Sequence, residues 1–294
     1  MSAPAGLQRD FPLARLTTLG TGGPARWFGQ PGTLVALRVL LGWADGEGQQ
    51  IAVVGLGSNL LVSDEGYDGL VLQLAGELAA IEIGESSATC GGGASLAAVV
   101  RRTRDAGLSG IEFGSAIPGT VGGAVRMNAG AYGGELRDVL AEATVVSAAG
   151  DRTGGPHELA MSYRYSNVAP GEVVARARLA LIPAPVEQIR ETVRSMQGRR
   201  SASQPRKART FGSVFKNPAA GPGAGALIEG CGLKGHVVGG ARISPVHANF
   251  IENVGDARSA DVAALIRLAR ERVHGRWGLD LEHEVELLGA IALD

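Results

Sequence analysis

The amino-acid sequence predicts an α+β fold. Strand and helix patterns alternate irregularly along the 294 residues, without the regular strand–helix–strand repeat of a doubly wound sheet. The 45 glycines follow no strict repeat, which indicates many tight turns and close approaches of backbone to a ligand. Residues 197–209, QGRRSASQPRKAR, are basic and contain a proline, and we interpret them as a domain junction or a loop at a site. On charge alone, a solvated basic loop is an equal interpretation.

Two helices and a strand are predicted before residue 185. Residues 33–44, TLVALRVLLGWA, are apolar enough for a short buried helix. Ser95 can cap a second helix, LAAVVRRTRDA, which would end at Gly107. Residues 174–182, VARARLALI, alternate in part between apolar and polar side chains, as in a strand.

Two further helices are predicted downstream, one starting at Pro185–Val186 and one capped by Ser259. Each carries apolar residues at helical spacing along one face, which we expect to be buried. These are Val186, Ile189, Val193 and Met196 in the first helix, and Val262, Leu265, Ile266, Ala269 and Val273 in the second.

Composition argues against several classes of protein. A net charge of −1 disfavours nucleic acid or an anionic membrane as the main partner. Cys90 and Cys231 form no C-x-x-C pair, which fits a reduced, cytoplasmic setting. The start, MSAPAGLQRDFPL, lacks the apolar core of a signal peptide, and no apolar run is long enough to span a bilayer. The five histidines are scattered, so no metal site is expected.

Residues 51–62, IAVVGLGSNLLV, place a glycine turn between two apolar runs. The Rossmann dinucleotide fingerprint requires G-x-G-x-x-G at the start of a helix. Gly55 and Gly57 fit that spacing, but Leu60 occupies the third position and Leu60–Val62 is predicted to be a strand. From this stretch alone, a strand–turn–strand with a flexible turn stays an open alternative.

Glycines cluster at four places in the first half of the chain: residues 20–23, 55–59, 91–93 and 114–134. Backbone N–H groups that converge at such turns can form an anion-binding nest. Short polar side chains accompany them: Ser58, Asn59, Ser115, Thr120 and Asn128. We therefore predict a dinucleotide site built from several loops, with GLGSN as one wall.

Five motifs occur in order between about residues 17 and 289: VVGLGSNLLV, IPGTVGGAVRMNAGAYGGE, SYRYS, FGSVFKNP and LEHEVELLG. Together they resemble the UDP-N-acetylenolpyruvoylglucosamine reductases, flavoenzymes of peptidoglycan precursor synthesis. The first two motifs are shared with the wider vanillyl-alcohol-oxidase (PCMH) type of FAD fold, whereas the other three are more specific to the reductases. The resemblance implies a two-lobed FAD-binding domain over residues 1–185, with lobes of about 1–65 and 66–185. A C-terminal α+β substrate-binding domain would follow over residues 186–294.

The resemblance also implies the ligands. FAD would be bound in the N-terminal half, NADPH would donate hydride, and the enolpyruvyl ether of UDP-N-acetylglucosamine would be reduced to UDP-N-acetylmuramate. A monomer with no nucleic-acid or membrane partner is expected. Cofactor-binding residues are expected at Val54, Gly55, Leu56, Gly57, Ser58, Asn59, Ser115, Pro118, Gly119, Thr120, Gly122, Gly123, Asn128 and Ala129.

The implied chemistry sets three tasks. A cation must hold the substrate carboxylate, a group must stabilise the enolate that hydride transfer creates, and an acid must protonate the neighbouring carbon. By resemblance, Arg164 of SYRYS holds the carboxylate and helps with the enolate, and Ser213 of FGSVFKNP donates the proton. Glu284 matches the catalytic glutamate of the family. Substrate-binding roles are implied for Tyr163, Lys216 and Asn217.

Each catalytic candidate also has an ordinary structural explanation. Arg164 could be a half-buried arginine stacked on tyrosine, Ser213 a turn residue, and Glu284 a surface carboxylate. If LEHEVELLG is a strand, Glu282, Glu284 and Glu286 face the same side, so that periodicity does not choose among them. The resemblance selects Glu284.

Other functions stay open at this stage. An FAD-dependent small-alcohol oxidase would share GLGSN and PGTVGG but not GSVFKNP. Ser213–Lys216 also reads S-x-x-K, the motif of penicillin-binding acyl enzymes, but K-T-G is absent from the sequence. A non-catalytic nucleotide-binding module is a further alternative.

Two departures from the family concern the substrate side. The segment QPRKARTF differs from many relatives, so no role is assigned to Arg206, Lys207 or Arg209. The short stretch between Arg164 and Ser213 resembles the compact form of the family, which lacks an extra loop bearing a tyrosine over the substrate.

Overall fold

The structure is a computed structural model that describes residues 2–205 and 207–293; Met1, Arg206 and Asp294 lie outside the described residues. Its helices are α1 (Leu34–Gly46), α2 (Leu96–Asp105), α3 (Val121–Arg126), α4 (Val186–Ser203), α5 (Ala224–Gly230) and α6 (Ser259–Trp277). Short 3-10 helices cover Leu13–Arg15, Gly76–Ala79, Glu112–Ala116 and Leu136–Asp138.

The strands of the first half are β1 (Gln8–Pro12), β2 (Pro24–Gly29), β3 (Gln50–Val53), β4 (Leu60–Val62), β5 (Tyr67–Leu72), β6 (Ile81–Ile83), β7 (Ser87–Gly91), β8 (Leu108–Ser109), β9 (Gly130–Ala131), β10 (Gly134–Glu135) and β11 (Leu140–Ser147). Those of the second half are β12 (Gly150–Gly154), β13 (Val173–Ala180), β14 (Ile182–Pro183), β15 (Val237–Val238), β16 (Ala241–Ile243), β17 (Ile251–Asn253) and β18 (Glu286–Leu288). β3 and β4 confirm the strand–turn–strand predicted around GLGSN.

Contacts divide the chain into two compact units. The first unit comprises residues 1–9, 27–56 and 69–200, and the second comprises residues 10–26, 57–68 and 201–294. The division falls inside GLGSN, after Leu56. The domains expected from the motifs, 1–185 and 186–294, are each continuous in sequence, whereas each unit combines three separate segments. The expected domains stay a prediction.

The first unit is built around an antiparallel sheet with the strand order β12-β11-β13-β7-β6. Along β13 the side chains of Ala175, Ala177 and Leu179 are buried, whereas Arg176 and Arg178 are exposed. This alternation of period two confirms the strand predicted over residues 174–182, although the chain leaves the sheet after Ala180. Ala177 and Leu179 pack with residues of α2 and α3 in one hydrophobic cluster, whereas Ala175 belongs to a separate cluster that includes α1.

A second sheet has the strand order β1-β2-β5-β3. β3 pairs with β5 in parallel, from Gln50 opposite Gly69 to Val53 opposite Leu72. The buried side of α1 packs with β5 in a separate cluster that includes Leu37, Leu41 and Leu70.

The predicted cap of α2 forms, since Ser95 Oγ accepts from the Ala98 N–H at 3.3 Å. Thr33, predicted as the first residue of the helix, caps α1 instead: its Oγ1 accepts from the Ala36 N–H at 3.1 Å. The expectation that α1 is buried is wrong for its outer face, because Val35 is 70% exposed and Val39 is 54% exposed.

Helix α4 is longer than predicted. It starts at Val186 as expected and buries Ile189 and Val193, but it continues to Ser203. The first half of the basic stretch is therefore helical rather than a loop, because no proline interrupts it before Pro205. Arg199 lies over the ring of Tyr132, with its guanidinium carbon 4.5 Å from the ring centroid, so this arginine is not merely solvated.

The second unit pairs a segment near the start of the chain with its C-terminal segment. β4 and β18 are parallel neighbours, with Leu60 opposite Glu286 and Val62 opposite Leu288. β15, β16 and β17 form a separate antiparallel sheet. The predicted apolar face of α6 is buried in the core of this unit, as expected: Val262, Leu265, Ile266, Ala269 and Val273.

The cap of α6 differs from the prediction. Arg258 is the N-cap residue, and Ser259 is the first helical residue. The first N–H groups of the helix donate instead to a distant carboxylate: Ser259 N to Asp64 Oδ1 at 2.9 Å and Ala260 N to Asp64 Oδ2 at 3.3 Å. Ser259 Oγ accepts from the Asp64 N–H at 2.9 Å in return. A negative charge at a helix N-terminus is stabilising, so Asp64 anchors the loop after β4 to α6.

We expect Asp64→Ala to lower the free energy of unfolding by about 1–2 kcal/mol, because it removes the acceptor for two helical N–H groups. Asp68→Ala is the matched control, since Asp68 pairs with Arg26 at the surface with 83% of its side chain exposed. That change should cost less than about 0.5 kcal/mol. Urea denaturation followed by circular dichroism measures both, and equal effects would contradict the anchoring role of Asp64.

Candidate active site

A cavity of about 180 Å³ lies within the first unit. Five chain segments contribute to it: the end of β3 with the following turn, the residues after β5, the turn after β7, α3 with the residue before it, and the start of β13 with the loop before it. It is lined by Val53, Val54, Gly55, Leu56, Gln73, Leu74, Gly92, Gly93, Thr120, Gly122, Gly123, Arg126, Val168, Glu172 and Val174. The structure thus brings three of the four predicted glycine clusters to one cavity.

Six of the predicted cofactor-binding residues line this cavity: Val54, Gly55, Leu56, Thr120, Gly122 and Gly123. The sequence analysis missed the residues on its other walls: Val53, Gln73, Leu74, Gly92, Gly93, Arg126, Val168, Glu172 and Val174. The GGG cluster was a signal for Gly92 and Gly93. Arg126 lies in the cluster 114–134, at the end of α3, but was not singled out. The others lie at strand ends or in loops and belong to none of the glycine clusters.

The glycines of the cavity supply space more than hydrogen-bond donors. The N–H groups of Gly92, Gly93 and Gly122 donate to backbone carbonyls at 2.9, 2.8 and 2.7 Å. The prediction that N–H groups of the glycine clusters form an anion-binding nest is therefore wrong for these three groups, because each already donates to a backbone carbonyl. A Cβ on Gly92 would lie 1.8 Å from the Val174 carbonyl oxygen, so that only glycine allows this packing.

Two charged side chains line the cavity. Arg126 Nη1 donates to the Val168 carbonyl at 3.0 Å. Glu172 accepts from Arg152 through both carboxylate oxygens, at 2.8 and 3.1 Å. The hydrogen bond from Arg152 lowers the pKa of Glu172, so this carboxylate stays ionised and held in place.

Four further predicted cofactor-binding residues lie in the first unit outside the cavity lining: Ser115, Pro118, Gly119 and Ala129. The Ser115 hydroxyl is buried and has no hydrogen-bond partner within residues 2–205 and 207–293. A buried polar atom of this kind usually finds a partner, so Ser115 Oγ is a candidate donor to a bound ligand. A Cβ on Gly119 would meet no atom within 4 Å, which leaves room for a ligand there.

Asn128 lies inside the first unit. Its side chain is fully buried: Nδ2 donates to Glu135 and to the Ser162 carbonyl, and Oδ1 accepts from the Arg137 N–H. Both donors of this amide are therefore used by protein groups, and the expected contact of Asn128 with the cofactor stays a prediction.

The remaining predicted cofactor-binding residues, Gly57, Ser58 and Asn59, lie in the second unit. Gly57 has a φ of +61°, and a Cβ there would lie 1.8 Å from the Leu16 carbonyl oxygen. Asn59 Nδ2 donates to the Glu284 carbonyl at 3.0 Å, and the Asn59 carbonyl accepts from the Glu286 N–H at 3.0 Å. Asn59 therefore fixes the backbone of the predicted catalytic glutamate.

Arg164 and Tyr163 occupy the apex of a tight turn in the first unit. Ser162 and Tyr165 exchange two backbone hydrogen bonds of 3.1 Å, and Arg164 has a φ of +54°. The guanidinium lies over the Tyr163 ring at 4.9 Å, and its Nη2 donates to the Gly130 carbonyl at 2.8 Å. The stacking anticipated as the ordinary explanation is present, and the group is held in one orientation.

Ser213, Lys216 and Asn217 lie on one segment of the second unit. Asn249 fixes this segment, because its Oδ1 accepts from the Phe215 N–H at 2.9 Å and its Nδ2 donates to the Phe215 carbonyl at 2.8 Å. Asn217 Oδ1 accepts from the Ala224 N–H at 3.0 Å at the start of α5. The side-chain oxygen of Asn217 thus holds the start of α5.

The Glu284 segment runs beside the Ser213 segment. The Glu284 N–H donates to the Val214 carbonyl at 2.7 Å, and the Lys216 N–H donates to the Glu282 carbonyl at 2.9 Å. The expected alternation is wrong here, because the strand begins only at Glu286. Glu282 forms an ion pair of 2.5 Å with Lys216, a predicted substrate-binding cation.

His283 lies between Glu282 and Glu284 in sequence. Its Nδ1 is 3.0 Å from Nη2 of Arg270, and because arginine only donates, Nδ1 must be the unprotonated acceptor. Burial and the Arg270 charge lower the pKa of His283, against the opposing effects of Glu282 and Glu286. Arg270 also donates to the carbonyls of Leu281 and Leu293, so it fixes the C-terminal segment.

Other kinds of site find no support in the described part of the chain. Residues 2–205 and 207–293 contain no group of three or more His, Cys, Asp or Glu side chains that could hold a metal ion. No helix among these residues has the length and apolar character needed to cross a membrane. Both cysteines are free, and burial raises the pKa of Cys90 to about 12, so this thiol is unreactive.

Comparison with known proteins identifies two matching families. Residues 27–153 match "FAD binding domain", and residues 204–288 match "UDP-N-acetylenolpyruvoylglucosamine reductase, C-terminal domain". The predicted α+β fold with an FAD-binding domain and a C-terminal domain is confirmed by these matches.

Full-length relatives agree with the two family matches. The UDP-N-acetylenolpyruvoylglucosamine reductase of Agathobacter rectalis is 42% identical, over 97% of this chain and 94% of the relative. That of Anaeromyxobacter dehalogenans is 44% identical, over 97% of this chain and 87% of the relative. The crystal structure of the reductase (MurB) from Thermus caldophilus superposes with a TM-score of 0.83 at 38% identity, and the match covers 96% of this chain and 98% of that one.

The lowered pKa of His283 predicts a pH dependence of stability. Its folded-state pKa lies below the usual value of 6.5, so between the two values the unfolded chain binds more protons. This part of the stability is present at neutral pH and is lost as pH falls below about 6.5. Urea midpoints at about pH 7.5 and pH 5.5 should therefore differ more in the parent than in His283→Gln.

His157→Gln is the control for this experiment, because its imidazole is 99% exposed. It should retain the full pH dependence of the parent. An unchanged pH dependence in His283→Gln would show that His283 is not held neutral by Arg270.

Proposed function

Since this chain belongs to the UDP-N-acetylenolpyruvoylglucosamine reductase family, we propose that it reduces the enolpyruvyl ether of UDP-N-acetylglucosamine to UDP-N-acetylmuramate, with NADPH as hydride donor. The observation that carries this proposal is the 38% identity and TM-score of 0.83 to a reductase structure, over nearly the whole of both chains. The reaction belongs to peptidoglycan precursor synthesis.

The first unit fits FAD. Its cavity is lined mostly by glycines and apolar side chains from several segments, and the orphaned Ser115 hydroxyl and the open space at Gly119 lie in the glycine cluster 114–134, which also forms one wall of the cavity. We propose that Val54, Gly55, Leu56, Thr120, Gly122 and Gly123 hold the cofactor, with Ser115, Pro118, Gly119 and Ala129 as further contacts. When bound, FAD supplies the hydride relay from NADPH to the enolpyruvyl double bond.

We assign Arg164 to the substrate carboxylate. Its guanidinium is permanently charged and can grip a carboxylate with two parallel hydrogen bonds. The bond to the Gly130 carbonyl and the stacking on Tyr163 fix its orientation before substrate arrives. A pre-oriented cation stabilises the enolate without reorganisation during the reaction, which is the main source of electrostatic catalysis. Tyr163 contributes to substrate binding as the stacking partner.

Ser213 is the proposed proton donor to the enolate carbon, and Glu284 is proposed to assist that transfer. A hydroxyl is a weak acid, but an enolate carbon is basic enough to take its proton. The supporting observation is that Glu284 and Ser213 belong to adjacent segments, joined by the Glu284 N–H bond to the Val214 carbonyl. Their backbones are held from outside by Asn59 and Asn249.

Lys216 and Asn217 are proposed to bind the nucleotide substrate. Because Lys216 pairs with Glu282, a change at Glu282 should also alter substrate affinity. No substrate contact is assigned to Arg206, Lys207 or Arg209 of the preceding segment.

The small-alcohol oxidase alternative is not favoured, because residues 204–288 match the C-terminal domain of the reductases. We propose a monomer that acts in the cytoplasm without a nucleic-acid partner. Two cysteines that form no disulfide support a reducing compartment.

An anaerobic titration tests the function. NADPH should bleach the flavin absorbance of the purified protein, and the enolpyruvyl nucleotide should restore it, whereas simple alcohols should not reduce the oxidised flavin. Ser213→Ala should keep the NADPH step, because Ser213 acts only after hydride reaches the substrate. Its turnover should fall by at least about a hundredfold, the usual scale for losing a positioned acid.

Two outcomes would count against these assignments. Reduction of the oxidised flavin by an alcohol, without reoxidation by the enolpyruvyl nucleotide, would favour the oxidase. Normal turnover in Ser213→Ala would leave that serine as a turn residue.

The cavity itself can be tested at Gly123. A Cβ there would have the Thr120 hydroxyl at 3.7 Å as its neighbour within 4 Å, so that Gly123→Leu should start its side chain without a clash and extend it into the cavity. Flavin content per chain should fall at least about tenfold, while the far-ultraviolet circular dichroism stays that of the parent.

Gly42→Leu is the matched control. Gly42 is an exposed glycine of α1, and a Cβ added to it would meet no atom within 4 Å, so its replacement should leave flavin content unchanged. Full flavin occupancy in Gly123→Leu would mean that the cofactor does not use this cavity.

A further inference from the structure

Asn128 sits at the junction of three segments of the first unit. Nδ2 donates to the Ser162 carbonyl at 2.8 Å and to Glu135 Oε2 at 3.0 Å, and Oδ1 accepts from the Arg137 N–H at 3.0 Å. The side chain is 0% exposed. A buried amide with all these bonds holds its partners in one geometry, since each broken bond would leave a polar group unpaired.

One of these partners belongs to the turn that carries Arg164. The Ser162 carbonyl accepts both from Asn128 and from the Tyr165 N–H, which closes the turn. Arg164 has a φ of +54°, a conformation that costs a non-glycine residue free energy and persists only when its surroundings enforce it.

Two more hydrogen bonds join the same segments. Ser166 Oγ donates to the Arg126 carbonyl at 2.7 Å, and Arg164 Nη2 donates to the Gly130 carbonyl at 2.8 Å. Residues 126–130 therefore contact the SYRYS turn on both sides of Arg164 and at its guanidinium. Asn128 is at the centre of this segment, and its own φ of +40° is one that asparagine tolerates better than most residues.

We infer that Asn128 is a positioning residue: it holds the Ser162–Tyr165 turn so that Arg164 presents its guanidinium to the substrate carboxylate. This inference rests on the proposed role of Arg164. It gives the Asn128 side chain a role inside the protein, whereas the expected contact of Asn128 with the cofactor stays a prediction. The expected consequence of losing this amide is a specific loss of carboxylate recognition, with the flavin step retained.

The test compares two nucleotides that differ in the carboxylate. Binding of the enolpyruvyl nucleotide and of UDP-N-acetylglucosamine, which lacks the carboxylate, is measured by the flavin absorbance change or by calorimetry on the flavin-loaded protein. In Asn128→Ala the Kd for the enolpyruvyl nucleotide should rise about tenfold to a hundredfold, the scale of a displaced positioning group. The Kd for UDP-N-acetylglucosamine should change less than about threefold.

Asn167→Ala is the matched control. Asn167 Nδ2 also donates to a backbone carbonyl, that of Glu158 at 2.9 Å, in the same region of the chain but outside the Arg164 turn. It should leave the ratio of the two Kd values unchanged. Where Asn128→Ala does not fold, Asn128→Asp serves instead, because it keeps the Oδ1 acceptor and replaces the donor to Ser162 by an oxygen.

A double-variant cycle identifies the route of the effect. If Asn128 acts through Arg164, adding Asn128→Ala to Arg164→Ala should raise the Kd for the enolpyruvyl nucleotide by less than about threefold further. Additive losses, or equal losses for both nucleotides in Asn128→Ala, would overturn the inference. Failure of the parent flavin to be reoxidised by the enolpyruvyl nucleotide would overturn the proposed function, and the inference with it.

Discussion

Packing of backbone directly on backbone is the constraint on which this structure depends. A Cβ on Gly57 would lie 1.8 Å from the Leu16 carbonyl oxygen, and one on Gly92 would lie 1.8 Å from that of Val174. Any other residue at either position would push two segments of the same unit apart. The abundance of glycine therefore reflects close approaches within the protein as much as approaches to a ligand, and the cavity of the first unit forms where such segments meet.

Some motif residues make their hydrogen bonds to the protein backbone. Asn59 and Asn128 look like ligand-binding residues in sequence, because each follows a glycine-rich loop. In the structure each amide donates to the backbone of a segment that carries a proposed catalytic residue, Glu284 for Asn59 and Arg164 for Asn128. A buried amide is suited to this task because it satisfies a carbonyl and restrains it with one group.

Two charged side chains, Glu172 and Arg270, are also held by protein partners. The ionised Glu172 is paired with Arg152 at the cavity wall, and Arg270 orders the C-terminal segment through two carbonyls and the neutral ring of His283. Charged groups near the proposed site are therefore mostly held by protein partners. Arginine suits both positions, since its several donors can fix more than one partner at once.

Local patterns determined a large part of this protein. Periodicity and composition were sufficient to predict α1, α2, α6 and β13, and the Ser95 cap marked the start of α2, because those signals act between residues a few positions apart. The ordered motifs were sufficient for the family. Tertiary structure alone decided the partners of Asp64, Asn59 and Asn128, which are 195, 225 and 34 residues distant along the chain. An asparagine or aspartate has the same hydrogen-bonding groups whether it meets a ligand or a carbonyl, and only the folded backbone decides which of the two lies within reach.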